Sequence, residues 1–253
     1  MKQLQQQRLQ QIQREIDCAL ALRGRGIDAN HLPADTSIAA ICALVRRLRE
    51  MEKSQEFHRN LLRAQREISA GSVYTLDNFA YGSTPFPTWL QIVSADSVRS
   101  AIAALRSSCA NRWRCTVFGS STGSLVFYAA LALGVDCVGV EILPFLYNVS
   151  TKLRDEIVPA EVRMRCEFVC EDMLQTPLGT TSLLILTSQC WDNDLHKQVA
   201  RKLERELPAG AAVVDYKDSL RRSSSFRLEE RLEGLPVSWA HKQPLYVFRK
   251  CPR

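Results

Sequence analysis

Between Thr116 and Glu141 the chain reads TVFGSSTGSLVFYAALALGVDCVGVE, a run whose residue types could hold a nucleotide-like cofactor. A short apolar strand, Thr116 to Phe118, enters a Gly/Ser turn at Gly119 to Ser124. The turn opens a helix of good formers, and a second apolar strand, Cys137 to Val140, ends on Glu141. Backbone N–H groups left free at a helix start suit polar or anionic ligand groups, and small residues permit close approach. A carboxylate after the next strand can accept a ribose diol, and Glu141 follows Gly123 by 18 residues, near the spacing such a unit needs. No lysine follows the turn to grip phosphates, so a P-loop is excluded.

The same turn supports a second chemistry. Gly119-Ser120-Ser121-Thr122-Gly123 fits G-x-S-x-G, the nucleophile elbow of serine hydrolases, with Ser121 as nucleophile. Asp215 at the end of a later strand and His241 near the C-terminus follow in the order Ser, Asp, His. A third reading is a strand–helix turn whose small residues serve packing alone.

The surrounding elements bear on the choice. Residues 1–68 read as helical, with Leu9, Ile12, Ile16 and Leu20 on one face. After Gly24, Gly26 and Pro33, Asp35 or Thr36 can cap a second stretch carrying Ile38, Ile41, Val45 and Leu48. Ala34 to Ala70 holds no Gly or Pro internally, so one long helix or two would fit. Gly71 to Pro87, with Tyr74, Phe79 and Tyr81, reads as an ordered loop, and a helix follows at about 88–107. Strands near 116–119, 137–141, 165–170, 182–187 and 211–216 then alternate with helices near 122–133, 145–157 and 193–207, the pattern of a parallel sheet. Two short strands, 236–240 and 244–250, around a His241-Lys242-Gln243 turn form an antiparallel hairpin. The expected organisation is an accessory helical region, 1–70, and an α/β domain, 71–253. That domain is doubly wound, with a mostly parallel seven-stranded sheet ending in the hairpin. A hydrolase places several strands before its elbow, whereas the residues ahead of Ser121 look helical.

Composition is that of a globular protein: 253 residues, 46% hydrophobic and 24% charged. The longest apolar run, Leu125 to Val135, is too short to span a bilayer, so no membrane contact is expected. Nine cysteines without a C-x-x-C pair suggest a reducing compartment, the nucleus or cytoplasm. Neither they nor His31, His58, His196 and His241 group as metal ligands. The net charge of +6 is uneven. Residues 1–70 hold twelve Lys/Arg against eight Asp/Glu, 197–253 hold thirteen against seven, and 71–196 hold eight against twelve. Basic flanks of this kind suit nucleic acid or chromatin, or simply form a solvated surface. Arg221-Arg222-Ser-Ser-Ser-Phe226-Arg227 could grip phosphates but reads as a surface loop.

Five parallel strands closed by an antiparallel hairpin is how the S-adenosylmethionine-dependent methyltransferase fold ends. From about Thr75 to Lys250 the chain resembles the non-SET histone lysine methyltransferases, the disruptor-of-telomeric-silencing family. Ala80-Tyr81-Gly82-Ser83-Thr84 resembles that family's loop over the methionine part of the cofactor, and Phe118 to Gly123 its glycine turn. Gly139-Val140-Glu141 resembles its Gly-Val-Glu, and Glu171-Asp172-Met173 its adenine site. Leu186-Thr187-Ser188-Gln189 falls where Val-Asn-Asn stands beside the methyl. Val237-Ser238-Trp239, Lys242 and Pro244-Leu245-Tyr246 resemble the final hairpin, whose aromatics line a lysine channel.

The resemblance implies S-adenosylmethionine as cofactor, contacted by Tyr81, Thr84, Gly119, Ser120, Ser121, Gly123, Glu141, Asp172 and Met173. It places Ser188, Gln189, Trp239 and Tyr246 at the reacting centre. It further implies a protein substrate, a histone or nucleosome, with the basic flanks contacting nucleic acid. Two of the family's acids are absent: Val117 precedes the turn and Ser83 stands in the loop. A degenerate binding module without catalysis is the alternative that this loss raises.

Overall fold

The protein was described from a computed structural model covering residues 35–107 and 113–252. The predicted helical face at Leu9 to Leu20 lies outside the described residues, as do the side chains of Asp35, Thr36 and Ile38. Helix α1 (Asp35–Glu52) and α2 (Gln55–Ala70) are two helices. They part because Ser54 leaves helical φ/ψ and its hydroxyl accepts from the Phe57 N–H, capping α2. A 3₁₀ turn (Leu76–Phe79) precedes α3 (Phe86–Ser94) and α4 (Asp96–Ser107). The single helix expected at 88–107 is broken at Ala95, whose ψ of 138° is extended.

Strands β1 (Arg114–Phe118), β2 (Cys137–Glu141), β3 (Cys166–Cys170), β4 (Thr181–Leu186) and β5 (Ala212–Asp215) are parallel neighbours in the order β3-β2-β1-β4-β5. The crossovers are α5 (Ser124–Tyr128) with a π turn to Leu133, α6 (Pro144–Ile157) with the short α7 (Ala160–Arg163), and α8 (Asn193–Glu206). β7 (Ala240–Lys250) pairs antiparallel with β5, and β6 (Phe226–Val237) closes the edge. This seven-stranded, mostly parallel sheet with its antiparallel C-terminal hairpin is the Rossmann-like methyltransferase fold.

Both faces of the sheet are buried, as a parallel sheet requires. Cys115, Val117, Leu183, Ile185 and Val247 face α1, α3, α4 and α5, while Phe118, Val138, Leu184, Val213 and Phe248 face α8. Each such apolar side chain contributes roughly 1.5–3 kcal/mol by leaving water. Helix α1 packs Ile41, Leu44 and Leu48 into the first of these cores.

The hairpin departs most from its expected form. It spans residues 226–250, its turn is Ser238–Trp239, and His241 to Gln243 lie within β7. Phe226 and Arg227, expected in a surface loop, begin β6. Pro244 is tolerated because β7 extends past β5, whose last partner is Tyr246 opposite Asp215. The hairpin therefore overhangs the carboxyl edge of the sheet.

Candidate functional site

A cleft opens at the carboxyl ends of β1, β2 and β4. There the strand order reverses direction between β1 and β4, where open α/β sheets hold ligands. Its floor is the turn after β1. Gly119 N–H and Ser120 N–H both donate to the Val140 carbonyl at 3.0 Å, tying the turn to β2. Gly119 has φ +72° and Gly123 φ +83°; a β-carbon on Gly123 would lie 2.7 Å from the Phe168 ring. Ser121, at φ +54°, is the one non-glycine with positive φ among the described residues. The Ser120 and Ser121 hydroxyls are buried and unpartnered there.

Glu141 ends β2 and is buried. Its carboxylate accepts from Ser121 N–H at 2.7 Å and Leu143 N–H at 3.0 Å. Burial pushes its pKa up, and these backbone bonds oppose the shift. A carboxylate has about four lone-pair positions, so two remain for ligand hydroxyls. Asp172, just beyond β3, accepts from Leu174 N–H at 2.8 Å and from the Tyr74 hydroxyl at 2.7 Å. Met173 lines the cleft beside it.

Residues 71–85 cross the cleft as a strap, pinned along its length. Asn78 and Asp192 exchange two hydrogen bonds at 2.8 and 2.9 Å. Gln65 holds the Phe79 carbonyl, and the Tyr81 hydroxyl donates to Glu52 at 2.8 Å. Thr84 and Tyr216 bond through their hydroxyls. Ser83 and Ser238 bond reciprocally, Ser83 N–H to the Ser238 hydroxyl at 2.8 Å and Ser238 N–H to the Ser83 carbonyl at 3.1 Å. Gly82 is bare because Trp239 lies on it: a β-carbon there would collide with the indole. The Trp239 ring is held by Gln243, which accepts from its N–H at 3.0 Å, and by the edge of Tyr216.

The structure brings Tyr81, Thr84, Gly119, Ser120, Ser121, Glu141, Asp172, Met173, Gln189 and Trp239 to one cleft. Gly123, Ser188 and Tyr246 are not in its wall. Gly123 sits behind the turn against Phe127 and Phe168. Ser188 is fully buried, its hydroxyl donated to Asp215. Tyr246 lies seven residues from the hairpin turn, stacked on Phe248 beneath the Arg231 guanidinium. Moving the turn from 241–243 to 238–239 is what draws Tyr246 back from the cleft. Tyr74 and Glu171 also line the cleft, roles that the aromatic loop and the Glu171-Asp172-Met173 motif do not by themselves announce.

The hydrolase arrangement is not assembled. Asp215 is enclosed by the Ser188 and Ser219 hydroxyls and the Lys217 N–H, while the Ser121 hydroxyl has no partner and His241 is exposed on β7. No group of three or more His, Cys, Asp or Glu among the described residues could hold a metal. No described helix is long and apolar enough to cross a membrane.

No protein-family model matches the chain, and no curated protein matches it. Among solved structures it is similar to an RNA methyltransferase from Salinibacter ruber in complex with S-adenosyl-L-homocysteine, at 19% identity and TM-score 0.46, over 61% of this chain and 92% of that one. It is also similar to a glycopeptide N-methyltransferase complexed with S-adenosyl-L-methionine, at 14% identity and TM-score 0.46, over 62% and 95%. A third is the magnesium protoporphyrin IX methyltransferase of Synechocystis PCC 6803 with bound cofactor, at 13% identity and TM-score 0.44, over 68% and 88%.

Proposed function

We propose that the protein is an S-adenosylmethionine-dependent methyltransferase acting on a protein lysine. The observation that carries the cofactor reading is Glu141: a buried carboxylate ends β2 above a Gly/Ser turn, two acceptor positions open, at the switch point of a methyltransferase-type sheet. The chain's residues fit such a cofactor. The turn presents only glycine and small serine side chains to its approach, and three buried polar atoms of cleft-lining residues, Ser120 Oγ, Ser121 Oγ and Gln189 Oε1, lack protein partners.

The cofactor supplies an electrophilic methyl group. Glu141 would accept from the ribose diol, Asp172 from the adenine amino group, and Met173 would cover the ring. Gln189 would accept an N–H of the incoming amine. Trp239 and Gly82 would exclude water and align the acceptor, which is the main task of such a site. An amine arriving neutral needs no tuned base.

The acceptor is assigned as a histone-type or other nucleic-acid-associated protein, met in the nucleus or cytoplasm, because Trp239 forms an aromatic wall beside an amide acceptor. The basic C-terminal flank supports nucleic-acid contact less than its sequence suggested. Lys202, Arg205, Arg227, Arg231 and Arg249 are each paired with an acidic side chain of this chain. We assign the helices up to residue 70 as an accessory wall of the catalytic domain.

Tritiated methyl transfer onto nucleosomes, free histones, RNA and cell extract tests the assignment. Label on protein, lost in alkylated lysine samples, is expected. Label confined to RNA or small molecules would overturn the lysine reading. Tight cofactor binding with no transfer would favour the binding module, a reading supported by the apolar Val117 buried in β1 where the resembled family has an acid.

A further inference from the structure

Tyr216, the first residue after β5, is buried and stands behind the wall of the cleft without forming part of it. Its hydroxyl bonds to that of Thr84, near the end of the strap. Its carbonyl accepts from the Gln243 amide at 2.9 Å, and the Gln243 side-chain oxygen in turn accepts from the Trp239 N–H at 3.0 Å. Its ring meets the indole edge-on, with centroids 5.5 Å apart and planes at 66°. The indole covers Gly82, two residues before Thr84. These links close a circuit from Tyr216 through Gln243, Trp239 and Gly82 to Thr84 and back. The neighbours of Tyr216 reach the turn that carries Gln189: Asp215 accepts from the Ser188 hydroxyl, and Lys217 Nζ donates to the Trp191 carbonyl at 3.2 Å. None of these bonds involves Glu141, Asp172 or the Gly119–Gly123 turn.

We infer that Tyr216 is a positioning residue for the acceptor side of the cleft, fixing the strap end and the Trp239 indole relative to one another. That role rests on the reading of Gln189 and Trp239 as the acceptor side. Tyr216 touches neither the cofactor contacts nor the reacting atoms and acts through Thr84, Gln243 and Trp239. Displacements of about 1 Å are enough to slow a transfer whose atoms must be aligned. A loosened circuit therefore costs transfer, while the contacts proposed for ribose and adenine persist.

Tyr216→Phe in the full chain keeps the ring and removes only the bond to Thr84. Methyl transfer to free histones should fall roughly 5- to 30-fold, in kcat or in KM for the histone. Calorimetry should show S-adenosylhomocysteine bound as tightly as by the parent. A second readout needs no acceptor. In chain labelled with 5-fluorotryptophan, the fluorine resonance that Trp239→Phe deletes should shift or broaden in Tyr216→Phe. The resonance of Trp113, which precedes β1 at the amino end of the sheet, should stay in place. Should Tyr216→Phe fail to fold, Thr84→Val removes the same bond from its other side and carries the fluorine readout. An unmoved Trp239 resonance, or S-adenosylhomocysteine binding weakened as much as transfer, would overturn the inference and leave the functional reading intact. If the parent binds S-adenosylhomocysteine but transfers nothing to histones, the Trp239 resonance alone decides. A parent that binds no S-adenosylhomocysteine would overturn the functional reading and this inference with it.

Discussion

The Tyr74 hydroxyl donates to Asp172 Oδ2 at 2.7 Å, joining the strap to the end of β3 across 98 residues of sequence. One carboxylate thus locks the strap and lines the cleft, at the position proposed above for the adenine contact. Tyr74→Phe should weaken S-adenosylhomocysteine binding by roughly 5- to 30-fold, since a hydrogen bond to a charged group contributes on the order of 1–2 kcal/mol. Calorimetry checks the loss, and hydrogen exchange across 71–85 should quicken in parallel.

Glu141→Ala should be more severe. It removes the carboxylate proposed for the ribose and leaves the Ser121 and Leu143 N–H groups without their acceptor. Cofactor affinity should fall roughly 10- to 150-fold. A far-ultraviolet spectrum unchanged from the parent would show that the sheet survives.

The turn offers a paired test in opposite directions. Ser121→Gly relieves a left-handed φ that costs a side chain on the order of 1 kcal/mol, partly offset by glycine's freedom when unfolded. Its melting temperature should stay level or rise by about 2 °C. Gly123→Ala should lower it by several degrees, because φ is +83° and the new carbon meets Phe168 at 2.7 Å.

A fluorophosphonate probe should not label Ser121. Activation requires a base within hydrogen-bond reach, and the Ser121 hydroxyl has no partner. Stoichiometric labelling, abolished by Ser121→Ala, would restore the hydrolase reading.

Asp215 should leave a mark on stability against pH. Burial raises its pKa from 3.8 to about 6, against the pull of its hydrogen bonds to Ser188, Ser219 and Lys217. Between those values the folded chain keeps a proton that the unfolded chain releases. Its contribution is therefore greatest below the unfolded pKa, declines as pH rises toward about 6, and is flat beyond. Asp215→Asn cannot titrate, so the stability difference between parent and variant should shrink by on the order of 3 kcal/mol from acid to neutral pH. Urea denaturation at both ends of the window measures it, and parallel curves would contradict it.

Glu141 and the turn were legible because local chemistry dictates them: an apolar strand, then residues that tolerate a left-handed backbone, then a carboxylate at a strand end. The five parallel strands were legible because each is a short apolar run. The antiparallel hairpin was legible too, but the length of its strands and the place of its turn were not. Leu228, Leu232 and Leu235 recur at helical spacing among charges, and only the register shifts of β6 let that pattern serve an edge strand. The bonds of Tyr74 and Gln243 were not legible for another reason. Their partners, Asp172 and Trp239, are fixed by tertiary placement, and nothing in the flanking residues announces either bond.

The position of β7 between β5 and β6 sets a timetable for synthesis. During translation β5 has no neighbour on its outer side until residues 246–249 emerge, and β6 has nothing to pair with at all. The indole of Trp239 reaches the cleft only when that last strand is in place. A ribosome-bound chain should thus expose an unpaired, apolar β5 edge from the emergence of Asp215 until that of Tyr246, a period in which holdase chaperones have something to grip. Cofactor binding and emergence of Lys250 should coincide in time.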